Sequence, residues 1–208
     1  MKPKLVILAG LAVLLCTVAL AGGGDSTRSE AAPTPLDQSP PDFTRLLDEA
    51  GMRFVVPNGF QETRPRANPL FLYDKAVRAA DGRLEMRYAV RPLGRIRVDY
   101  DDPHSAAPDP NHMFPLMFQS MVTLLSNGRH SPTREFPPAQ AREKFNADWA
   151  AAAVFDISPE FAADHRQALV IALHKHQLAD AYTIFLFDDY EAVKERINAH
   201  LGALAFRP

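Results

Sequence analysis

The chain has 208 residues, 47% of them hydrophobic, with 23 Lys and Arg against 25 Asp and Glu for a formal net charge of −2. Charges of both signs are interspersed, so no basic stripe exists for a nucleic acid and no polybasic patch for anionic lipid, and neither is an expected partner. Cys16 is the only cysteine, which excludes an internal disulfide and a multi-thiolate metal site.

The amino terminus has the pattern of an export signal. Lys2 and Lys4 form a positive head, Leu5 to Val18 are almost unbroken aliphatic residues, and Ala19-Leu20-Ala21 supplies small residues where a signal peptidase reads them. Residues 1–21 are therefore expected to be a cleaved signal peptide, the compartment periplasmic, and stable membrane insertion absent after cleavage. Leu14 and Leu15 precede Cys16, which argues against lipoprotein acylation at that cysteine. The apolar run approaches the length that spans a bilayer, but the Ala-Leu-Ala site followed by Gly22-Gly23-Gly24 favours cleavage over anchoring. Residues 22–41 are rich in Gly, Ser, Ala and Pro without an apolar period and read as a flexible linker. Residues 42–208 suffice for one domain with a substantial core.

Asp42 is placed to cap a short helix with an apolar face of Phe43, Leu46, Leu47 and Ala50, closed by Gly51. A strand follows over Arg53 to Val56, stopped by Pro57-Asn58-Gly59. Asp81-Gly82 predicts a hairpin with a type I′ turn, in which position 79 pairs with 84, 77 with 86, 75 with 88 and 73 with 90. That register puts Tyr73, Val77, Ala79, Leu84, Met86, Tyr88 and Val90 on one face, with Lys75 as an exception at the sheet edge. The other face carries Asp74, Arg78, Arg83, Glu85, Arg87 and Arg91, with Arg78 opposite Glu85. The row Arg78, Arg83, Arg87 and Arg91 is a candidate binding surface for an anion or a partner, although a solvated sheet face is the plainer expectation.

The connection from Gly94 to Asn111 holds Asp99, Asp101, Asp102, His104 and Asp109 but lacks the EF-hand order of acids, so a solvated loop is expected. Met113 to Leu125 reads as a helix apolar nearly all round, hence deeply buried or covered by a partner. Met113, Met117 and Met121 form a stripe headed by His112; soft thioethers suit copper(I), but core packing is their expected role. A helix from Ala139 to Trp149 follows, with Ala141, Phe145 and Trp149 on one side, then a strand over Ala152 to Ile157. Gln167 to His176 and Ala181 to Phe187 are apolar on both faces, as central strands are. Asp188 and Asp189 start a last helix whose face is Val193, Ile197, Leu201 and Leu204, ending near Phe206. Four helices and about six strands joined largely by hairpins predict an α+β domain, a mainly antiparallel sheet flanked by helices.

This order of elements, with Pro57-Asn58-Gly59-Phe60 closing the first strand, resembles the Mog1/PsbP/DcrB family of α/β/α sandwiches over most of Arg53 to Phe206. The resemblance implies a binding, assembly or accessory role rather than catalysis, and transfers no functional residue position by position. No cofactor motif is recognisable, and no cofactor is expected.

The sharpest chemical candidate is a metal pair, His174 and His176, which a single strand would place on one face, with His165 or a loop acid as third ligand. The Gly-x-Ser-x-Gly, His-Glu-x-x-His, P-loop and dinucleotide patterns are all absent. The leading expectation is an exported, non-catalytic binding or accessory protein that contacts another cell-envelope protein. A metal-binding protein is the alternative, and an enzyme without a recognisable motif comes third.

Overall fold

The computed structural model describes residues 42–96 and 108–208; the expected export signal and linker, Cys16, and the acids at 99, 101 and 102 lie outside the described residues. The chain runs α1 (Phe43–Glu49), β1 (Met52–Phe54), β2 (Phe60–Thr63), β3 (Lys75–Ala79) and β4 (Glu85–Pro92), with a 3-10 turn at Leu93–Arg95. It continues with α2 (Pro110–Leu125), β5 (Thr133–Glu135), α3 (Pro138–Phe145) and β6 (Trp149–Asp156). Strands β7 (Gln167–Lys175) and β8 (Ala179–Phe187), helix α4 (Tyr190–His200) and β9 (Leu204–Phe206) complete it.

The capping chemistry acts as its residue types require. The Asp42 side chain accepts from Thr44 N–H, and Gly51 ends the segment at φ 61°, a backbone state that glycine adopts without strain. Asp189 accepts from Glu191 and Ala192 N–H at the start of α4. The β3–β4 hairpin keeps the expected register, with Lys75 opposite Tyr88, Val77 opposite Met86 and Arg78 opposite Glu85. Its turn is not type I′, which needs two residues at positive φ. Gly82 alone is left-handed (φ 70°), and its N–H donates to Ala79 C=O at 2.9 Å.

Seven strands form one sheet in the order β2-β3-β4-β8-β7-β6-β5, every neighbouring pair antiparallel, while β1 and β9 make a separate two-stranded ribbon. Every residue of β8 is buried, as is β7 apart from its two ends. Apolar layers therefore cover both faces. On one, Leu46 of α1, Phe145 of α3, and Val193 and Ile197 of α4 pack over Met86, Tyr88, Phe185 and Phe187. On the other, Phe118, Val122 and Leu125 of α2 pack over Ala89, Val170, Ile184 and Leu186. The α+β class with helices on both sides of an antiparallel sheet is the observed architecture.

Several expectations are corrected. The charged face of the hairpin is not a solvated surface: Ala76 and Ala89 between its charges are buried, and Glu85 is only 8% exposed. Helix α2 starts at Pro110 behind an Asp109 cap and buries one side, leaving Leu116, Met117 and Leu124 exposed. Helix α3 stops at Asn146, left-handed at φ 51°, and Trp149 opens β6 instead of extending the helix. Leu204 to Phe206 is a strand paired with β1, not the end of α4. Strands β2 and β5 are four and three residues long, too short for an alternation to show in sequence.

Phe185 and Leu186 are neighbours on opposite faces of β8, both 0% exposed. Both Phe185→Ala and Leu186→Ala are expected to lower unfolding free energy, by roughly 3–5 and 2–5 kcal/mol respectively, in urea titration. A sheet covered on one face only would tolerate one of the two.

Candidate ligand-binding groove

Strand register builds a polar row across the sheet. Arg91 lies opposite Asp180, Asp180 opposite His174, and His174 opposite Trp149. Directly paired residues share a face, and this row lies on the face covered by α2. Burial demands partners for such groups. His174 (3% exposed) and Asp180 (9%) meet at 2.7 Å between Nδ1 and Oδ1. Phe114 of α2 stacks on the His174 ring with centroids 4.0 Å apart and planes 16° apart, and Trp149 abuts Phe114 at 4.8 Å. Arg91 donates to Asp74 Oδ2 at 2.8 Å and to Leu72 C=O, with its guanidinium 5.6 Å over the Phe71 ring. Phe71 in turn stands edge-on to Tyr182 at 5.6 Å.

Beside this row, α2 and the sheet border a groove of about 570 Å³, within the ~300–1,000 Å³ range of small-molecule sites. Met113, Met117, Met121 and Leu124 form its helical wall, Phe71 and Tyr182 the opposite side, and Arg91 and Asp180 supply charged groups. Met121 is buried, but Met117 is half exposed, so the stripe belongs to the groove wall more than to the core. Thioether side chains are flexible and polarisable, which lets such a wall adapt to ligand shape.

The predicted histidine pair is not on one strand face: β7 ends at Lys175, and His176 sits exposed in the turn, its N–H donating to Asp148. Asp180 is instead the residue beside His174. Asp180 falls just before the strand expected at Ala181 to Phe187, and the usable signal is an acid at the head of an otherwise apolar strand. His165 is buried elsewhere, 4.0 Å from Asp188, and His112 is exposed at the head of α2. No group of three or more His, Cys, Asp or Glu among the described residues is placed to hold a metal ion.

The arginine row is divided in the same way. Arg91 joins the groove, and Arg83 is exposed near the turn. Arg78 lies 3.7 Å from Asp164. Arg87 is nearly buried, 2.7 Å from Glu85, donating to Phe161 C=O at 2.6 Å and held between the rings of Tyr73 and Phe161 at 4.8 and 4.7 Å.

No helix among the described residues is long and apolar enough to cross a membrane. No family model and no curated protein matches the chain. It is similar to the solution structure of cyanobacterial PsbP (CyanoP) from Synechocystis sp. PCC 6803, with 12% identity over 76% of this chain and 88% of that one and a TM-score of 0.41. PsbP belongs to the family that the order of elements resembles.

His174→Ala and Asp180→Ala each leave the other group buried without its partner, and each is expected to cost about 1–3 kcal/mol in urea titration, with the double variant costing less than their sum. Neither ring nitrogen of His165 has a hydrogen-bond partner among the described residues, and desolvation holds its pKa below the ordinary 6.5. The unfolded chain therefore takes up this proton more readily, so stability is full above pH 6.5 and falls as the pH drops below it. His165→Leu should flatten thermal-midpoint curves across that window.

Proposed function

We propose that the chain is an exported, non-catalytic binding protein of the cell envelope, and that its ligand is a small, mainly apolar molecule with one hydrogen-bonding end, held in the groove beneath α2. The observation that carries this reading is the groove itself: an apolar wall of methionines facing Phe71 and Tyr182, with charge confined, among the described residues, to Arg91 and Asp180. A few convergent polar groups in an apolar cleft orient a ligand while area burial supplies affinity. Those polar groups already have partners in Asp74 and His174, which favours recognition over proton transfer or nucleophilic attack. Export rests on residues 1–21, and an accessory role beside another envelope protein is part of the same proposal.

The fluorescent probe N-phenyl-1-naphthylamine tests the groove. Saturable emission enhancement is expected for the wild-type chain, weakened at least about tenfold by Met117→Glu and by Ser120→Trp, a loss of about 1.4 kcal/mol. Both side chains are exposed, so thermal midpoints should be unchanged. Absence of saturable binding, or variants that bind like wild type, would overturn the groove as the site.

A further inference from the structure

A second cavity, of about 260 Å³, lies against the charged face of the hairpin and has the opposite character to the groove. Among the described residues, Arg64, Arg66, Arg78 and Arg87 line it, together with two acids, Glu85 and Asp164. Four guanidiniums against two carboxylates leave a formal charge of +2 around one concave space. Each acid is already committed: Glu85 to Arg87 at 2.7 Å, and Asp164 to Arg78 at 3.7 Å. Those are the only ion pairs on the cavity wall among the described residues, and neither engages Arg64 or Arg66.

The loop that carries these last two arginines is anchored. Pro65 restricts Arg64 to extended backbone. Arg66 N–H donates to the Tyr73 hydroxyl at 3.0 Å, and Asn68 donates to Glu160 C=O at 2.9 Å while accepting from Leu70 N–H. On the floor, Arg87 is fixed by Glu85, by Phe161 C=O and by the two aromatic rings. The Arg87 guanidinium and the backbone that carries Arg64 and Arg66 are thus in place before any ligand arrives, which reduces the ordering cost of binding.

We infer that this cavity is an oxyanion site for a phosphate group. A phosphate carries about −1.5 to −2 charges at neutral pH, which matches the excess on the walls, and planar guanidiniums bind its oxygens in pairs. The site is separate from the groove and stands or falls independently of it. Of the arginine row expected from sequence, it uses Arg78 and Arg87, and it adds Arg64 and Arg66 from the preceding loop.

Isothermal titration of the purified chain with inorganic phosphate at low ionic strength tests the site. Saturable binding is expected, weakened at least about tenfold in Arg64→Gln/Arg66→Gln, corresponding to ~1.4 kcal/mol. Both residues are exposed, so the thermal midpoint without phosphate should be unchanged. No saturable binding by wild type, or equal binding by the double variant, would overturn the inference. Vesicles of phosphatidylcholine with and without phosphatidic acid separate two sources of the same group. Cosedimentation that needs phosphatidic acid and is competed by inorganic phosphate assigns a lipid headgroup, whereas phosphate binding without cosedimentation assigns a soluble phosphate; either supports the site.

Discussion

The pairing of β7 with β8 is the constraint on which the rest of the molecule depends. Their side chains are apolar on both faces, so neither face can be left to water, and helices must cover the sheet on both sides. That requirement places α1, α3 and α4 on one side and α2 on the other. It also fixes the fate of Asp180. A carboxylate in a strand buried at every position needs a partner close by, and antiparallel register supplies His174 directly opposite.

Helix α2 shows how a core element can also shape a binding surface. Residues four apart advance about 40° beyond a full turn at each step, so Met113, Met117 and Met121 cannot all face the same direction. Met121 packs with Phe118, Val122 and Leu125 while still lining the groove, and Met117 stands half exposed on the groove wall. Pro115 inside the helix has no N–H to donate, so the first turns of α2 rest more on side-chain packing, including the Phe114 ring on His174 and Trp149.

The two cavities divide apolar and charged surface between opposite ends of the same sheet face. At one end Asp180 is satisfied by His174 and Arg91 by Asp74, and the surrounding wall is apolar. At the other, Arg87 sits among aromatic rings with a single carboxylate partner, and exposed arginines extend from an anchored loop. A guanidinium tolerates the nearly buried setting of Arg87 because its delocalised charge is weakly hydrated and its faces stack on rings.

Local chemistry was legible wherever neighbouring residues decide the outcome. The Asp42 and Asp189 caps, the stop at Gly51, the β3–β4 register and the double-sided β7–β8 pair follow from side-chain hydrogen bonding, positive φ and two-residue periodicity, all short-range properties of the chain. The resemblance to an α/β/α sandwich likewise came from the order of elements. What lay beyond sequence were partners brought together across the fold. Strand β9 exists because β1 passes beside Leu204–Phe206. Trp149 is a strand residue because β7 offers His174 as its partner, and His176 falls in the turn because β8 begins at Ala179. The apolar residues on both sides of β7 and β8 already require a two-faced sheet and helices that cover it. Only the tertiary structure decided which charges meet, which methionines reach the surface, and that Arg64 and Arg66 share a cavity with Arg87, because those outcomes depend on long-range packing that no local pattern encodes.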